Sequence, residues 1–170
     1  MTEVLYLAHN FNMRKSVRKW ELYIEGKYNI ILDSPFYNNP NRAEEMNILD
    51  SMKDGGRNQR NYLSTRSSKS IVEDDLDKIR KSDGLVAIAN DTRIGTPMEI
   101  FFAGRILRIP VYVISKKYFR HPWIKEHATK IFKSRKEFER FVKEKWGRKI
   151  VLNINTVRST KFLEKIGGGD

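Results

Sequence analysis

The 170-residue chain has no cysteine. That excludes a disulfide framework, a thiolate metal site and a cysteine nucleophile, and it suits a reducing compartment. Histidine is scarce: three scattered residues give no ligand pattern, so no metal is expected. Acidic residues are outnumbered, 21 Asp and Glu against 33 Lys and Arg. The resulting net charge of +12 implies attraction to anions, whether phosphorylated small molecules, nucleic acid or acidic lipid, without choosing among them. No stretch approaches the ~20 apolar residues of a membrane span. The opening "MTEVLYLAHNF" carries an acid and no long apolar region, unlike a signal peptide. The expectation is a cytoplasmic protein with no membrane partner.

What is present is enough for one core. Hydrophobic residues make up 39% of the chain, with nine Phe, seven Tyr and three Trp, and the length fits a single domain. "EVLYLAH" reads as a buried strand, and "MRKSVRKWELYIEGK" as an amphipathic helix with Val17, Trp20, Leu22 and Tyr23 as its apolar positions. "YNIILDSP" is a second strand. From 36 to 68 the pattern breaks into turn formers and positive charge, interrupted by the helical piece "RAEEMNILDSMK", as in a functional lid or long loop. Its Arg57, Arg60 and Arg66 are candidates to clamp a phosphate. The helix "SIVEDDLDKIRKSD" follows, with Ile71, Val72, Leu76 and Ile79 on one side. Then come the strand "GLVAIA", the helix "PMEIFFAGRIL", the strand "PVYVIS", a short strand "ATKIF" and the helix "SRKEFERFVKEKW", whose apolar positions are Phe138, Phe141, Val142 and Trp146.

Strands alternating with helices imply a single doubly wound α/β domain of the flavodoxin or Rossmann-like kind, with about five parallel strands covered on both faces. We assign it to residues 1–148, with 149–170 as a basic C-terminal tail. Ligands in such folds bind beyond the carboxyl ends of the strands, where the strand order reverses. "AHNFN" after the first strand and "NDTRIGT" after the third therefore converge on one cleft, with Glu99 beside it.

On local pattern alone Glu99 is a helix cap. "Thr96-Pro97-Met98-Glu99" matches a capping box, with Thr at N-cap, Pro at N1 and Glu at N3. Yet "VLYLAHNF", "DDLDKIRKSDGLVAIANDT" and "GTPMEIFFAGRILRIPVYVIS" together resemble the nucleoside 2-deoxyribosyltransferase family, including its relatives that hydrolyse 2′-deoxynucleoside 5′-monophosphates. The counterparts of the family pattern are Tyr6-Leu7-Ala8, Asp75-Leu76, Ser82-Asp83 and Gly95-Thr96-Pro97-Met98-Glu99-Ile100. The resemblance covers roughly residues 3 to 115.

That resemblance implies an enzyme acting on an N-glycosidic bond. Glu99 would be the nucleophile at C1′ of the sugar, Asp75 the group that assists protonation of the departing base, and Tyr6 the residue holding Glu99 by a hydrogen bond. A carboxylate suits the task, because the bond breaks through an oxocarbenium-like state and covalent capture divides one hard step into two. The family also implies a homodimer or larger homo-oligomer, a nucleoside or nucleoside 5′-monophosphate substrate, and no cofactor.

The chain departs from the family in places. Nucleoside-specific members carry an acid six residues before the nucleophile; here that position is Arg93, whose planar fork suits a phosphate. Asp91 is placed to recover the sugar contact, and Gly95 opens the nucleophile's helix. In the first loop, Asn10 and Asn12 are candidate phosphate donors, and His9 is a pocket-lining polar residue. "RHPWIKEH" lacks the Asn-x-Met stretch that a neighbouring subunit contributes in active transferases; Trp123 is a candidate to stack on a base instead. Two other readings stay open. One is a non-catalytic binder of nucleotide or nucleic acid in which Glu99 only caps its helix. The other, ranked third, is a phosphoribohydrolase of the lysine-decarboxylase-like group, which the absence of a glycine pair in "DTRIGTPME" disfavours.

Overall fold

The computed structural model describes residues 2–37, 68–91 and 94–148. Strand β1 is Glu3–His9, where five consecutive residues from Leu5 are buried. A 3-10 turn, Phe11–Met13, leads into helix α1, Arg14–Lys27. Strand β2 is Ile30–Asp33. After residues 38–67, helix α2 spans Ser68–Lys81 and strand β3 spans Gly84–Ile88, buried throughout. Helix α3, Gly95–Phe101, runs on as a π-helical segment, Phe102–Leu107. Strand β4 is Val111–Ile114, helix α4 Pro122–His127, strand β5 Lys130–Phe132 and helix α5 Arg135–Trp146.

The five strands form one sheet in the order β2-β1-β3-β4-β5, and every pairing is parallel. This is the expected doubly wound α/β architecture, with its switch point between β1 and β3. Continuous apolar strands follow from burial on both faces. Side chains alternate across the sheet. Leu5, Leu7, Val86 and Ile88 pack with Val17, Ile24, Phe138 and Val142 on the α1/α5 side. Tyr6, Ala8, Leu85 and Ala87 pack with Ile79, Ile100, Ala103 and Ile124 on the α2/α3/α4 side. Among the described residues no helix is long and apolar enough to cross a membrane.

Two local expectations are corrected, and one element is added. The inward stripe of α1 is Val17, Glu21 and Ile24, whereas Leu22 and Tyr23 are half exposed. A buried glutamate disguised that face; Arg18 pairs with it from the preceding turn. Val72 on α2 likewise points outward, being 55% exposed. The short helix α4 falls within "RHPWIKEH", to which sequence analysis assigns no element; Pro122 opens it at a position where a missing N–H costs nothing. It packs so closely on the π-helical segment that a Cβ on Gly104 would lie 2.5 Å from the His127 carbonyl oxygen. Of the expected features, residues 38–67 of the 36–68 lid with its three arginines, Arg93, and the tail from 149 lie outside the described residues.

Candidate active site

The β1 alternation sends Tyr6 to the α2/α3 side of the sheet, fully buried. Its hydroxyl donates to Glu99 Oε1 at 2.8 Å across 93 residues of sequence. The capping-box expectation for Glu99 is therefore corrected. Helix α3 begins at Gly95, so Glu99 is its fifth residue, and no side chain caps its N-terminus. Thr96, expected as the N-cap, is buried in the helix instead. Moving the start by two residues carries Glu99 out of reach of the cap and turns it towards β1. The result is a half-buried carboxylate oriented by a hydroxyl from a different element.

Asp75 lies one turn before the fully buried Ile79 on α2, hence on the same side of that helix. Crossover helices run antiparallel to the strands they connect. The first half of α2 thus lies towards the carboxyl ends of the sheet, and Asp75, just past its midpoint, is half-buried on the side that holds Tyr6 and Glu99.

A second group spans the switch point. Asn10 Oδ1 accepts from the Asn12 backbone N–H at 3.0 Å and so caps the 3-10 turn. Its Nδ2 donates to the Asp91 carbonyl and to Asp91 Oδ2, both at 3.3 Å. The loops after β1 and β3 are thereby clasped. Asp91 is exposed, as is Asn12. Gly95 stands exposed where α3 begins, and a Cβ there would meet nothing within 4 Å, so open space adjoins its backbone.

Sequence reasoning missed the neighbours that complete this rim. Asn90 Oδ1 accepts the Lys116 N–H at 2.8 Å, and Ser115 Oγ donates to the Ala89 carbonyl at 2.9 Å, tying the β4 loop to the β3 loop. Lys117 lies with its ammonium 5.0 Å from the Tyr118 ring centroid. The Tyr118 hydroxyl, and to a smaller extent the Asp91 charge, push the Lys117 pKa up. For this cation, "SKK" after a strand was the available signal.

His9 falls on the other side. It is buried against Phe36, with ring centroids 5.0 Å apart, and its Nδ1 is 3.0 Å from the Asn10 carbonyl. Burial holds its pKa down at about 4, opposed by that backbone hydrogen bond and helped by the Arg135 charge. The imidazole is neutral at pH 7, with its proton on Nδ1 facing the carbonyl. The structure brings Tyr6 to Glu99 and Asn10 to Asp91; it does not bring His9 to the Glu99 side of the sheet.

Among solved structures, the chain is similar to a 2-deoxyribosyltransferase from the psychrotolerant bacterium Bacillus psychrosaccharolyticus, at 22% identity and a TM-score of 0.52, over 80% of this chain and 90% of that one. The two share a fold. That protein is a biocatalyst for the synthesis of antiviral and antitumoral nucleosides. No family model and no curated protein sequence matches the chain. At such identity the likeness carries the architecture, while the chemistry has to be argued from the residues.

Proposed function

We propose that this protein cleaves or exchanges the N-glycosidic bond of a (deoxy)nucleoside or its 5′-monophosphate, with Glu99 as the nucleophile. The observation that carries this reading is the 2.8 Å hydrogen bond from the buried Tyr6 hydroxyl to Glu99 Oε1. A carboxylate spent on helix capping would be held by backbone N–H groups. This one is oriented by a hydroxyl from a neighbouring strand, so that a carboxylate oxygen can be presented to the sugar. Attack of that oxygen on C1′ breaks the bond to the base and forms a glycosyl ester. Asp75 protonates the leaving base, and water or a second base then takes the sugar.

The clasped loops suit the substrate's other end. Asp91 and Asn10 would meet sugar hydroxyls, the space beside Gly95 would admit the ribose, and Asn12 and Arg93 would meet a 5′-phosphate. The similar fold of a 2-deoxyribosyltransferase supports a nucleoside substrate. The chemistry takes no metal or cofactor, and the working unit is a homodimer or larger homo-oligomer.

The test is free-base release from a panel of deoxynucleosides, ribonucleosides and their 5′-monophosphates, with and without a second base. Glu99→Gln is expected to abolish release while ligand binding survives. Release from monophosphates alone identifies a nucleotide hydrolase, and exchange on free nucleosides a transferase. Binding without release from any substrate would overturn the proposal and leave a non-catalytic nucleotide binder.

A further inference from the structure

Away from this site, the end of α1 and the outer face of α5 enclose a concave surface of about 490 Å³ lined by Lys27, Lys136, Arg140, Lys143 and Arg148 around Glu139. Two elements build it. The 147–148 segment is clipped to the α1–β2 turn by a bridge between Tyr28 and Arg148 and by Asn29 Nδ2 donating to the Arg148 carbonyl at 3.3 Å. One oxygen of Glu139 is already engaged. Its Oε1 accepts from Tyr23 at 2.7 Å and from Lys27 and Tyr28 at 2.8 Å each. Those donors, Lys27 first, hold its pKa down at about 2. The carboxylate therefore cancels Lys27 and leaves the other four cations without an ion pair among the described residues.

Their spacing is regular. Lys136, Arg140 and Lys143 recur at i, i+4 and i+7, so they share one face, and all are exposed, as is Arg148. At the helical rise the row from Lys136 to Lys143 extends over roughly 10 Å, and Arg148 lies beyond the helix end. A nucleic-acid strand carries one phosphate per ~3.4 Å of rise, so about three successive phosphates face the helical row. The exposed ring of Tyr23 stands at its border, where a base can stack. Among the described residues no exposed apolar side chain lines the surface, as insertion into a bilayer would need. We propose that this basic face of α5 binds a single nucleic-acid strand through its phosphates, without reading sequence. The inference is independent of the proposed catalysis.

The test is fluorescence anisotropy of the full chain with labelled 20-nucleotide DNA and RNA over a salt series. With four unpaired cations engaged, log K is expected to fall with log salt at a slope of about −3, a loss of about 50-fold between 50 and 200 mM. The triple variant Lys136→Ala, Arg140→Ala, Lys143→Ala should bring the slope to about −1. A control of equal charge change, Lys81→Ala, Arg120→Ala, Lys125→Ala, should leave it unchanged, with circular dichroism confirming both folds. Three results would overturn the proposal. These are a native slope shallower than −1, equal losses in the two triple variants, or loss of binding only to phosphatidylserine vesicles in the first. Glu99→Gln should bind the strand as the native protein does.

Discussion

Replacing Tyr6 with Phe removes one oxygen and separates two roles for the Tyr6–Glu99 bond. The ring is fully buried between the strands and α2/α3, and Phe keeps that packing with the apolar neighbours Ala8, Ile79 and Ile100. What is lost is a hydrogen bond to a carboxylate, with a net worth of about 1.5–3 kcal/mol. Glu99 is half-buried and regains some solvent contact, so the cost to stability belongs at the lower end, about 1.5 kcal/mol. If the hydroxyl also holds the nucleophile in line with C1′, the same loss reappears in the barrier. Each 1.36 kcal/mol is tenfold in rate, so kcat should drop by about 10- to 100-fold. KM should change by less than about threefold, because the lost contact is to the enzyme's own carboxylate rather than to bound substrate. Steady-state base release and urea unfolding on the same preparations measure both. A variant less stable by about 1.5 kcal/mol whose kcat stays within twofold of native would refute the reasoning. The bond would then be a packing detail, and Glu99 would need another means of orientation.

Two stability predictions follow from the fold. His9 is held neutral by burial, with its pKa at about 4 against an ordinary 6.5, so between those values the unfolded chain binds a proton that the folded chain refuses. Stability is therefore expected to fall as pH drops through that window, by about 2–3 kcal/mol. Urea midpoints at pH 7 and pH 4.5 should show this in the native protein and a smaller drop in His9→Gln; identical drops would sink it. Gly104→Ala is expected to destabilise by about 1–3 kcal/mol, since its Cβ would meet the His127 carbonyl oxygen at 2.5 Å and backbone cannot rotate away. An unchanged or raised urea midpoint would show that α4 moves aside freely and that the close approach carries no strain.

Glu99 itself shows where local pattern stops being informative. A Thr-Pro-x-Glu run signals a cap because the geometry of one helical turn is local. Where that turn begins, however, depends on which residues are buried, and with Thr96 and Ile100 both buried the helix starts at Gly95. The buried Glu21 misleads in the same way. A periodicity that counts only apolar residues cannot see a charged side chain admitted to the interior with its partner Arg18.

The sequence by itself determined the class of fold and the order of its elements. Continuous apolar runs such as "GLVAIA" can be covered only between two helical layers, and the alternating helices leave no other partner for them. It also determined that anions are attracted, since charge is a property of composition. The family resemblance implies the Tyr6–Glu99 contact but no local pattern does; tertiary structure brings Tyr6 to Glu99 and Asn10 to Asp91, pairs 93 and 81 residues apart. Those meetings depend on the strand order 2-1-3-4-5 and on which face each β1 side chain takes. Order in the sheet comes from packing between elements distant in the chain, and no local pattern records it. For the same reason His9, three residues after Tyr6, ends on the opposite side: strand alternation separates neighbours in sequence as surely as folding joins strangers.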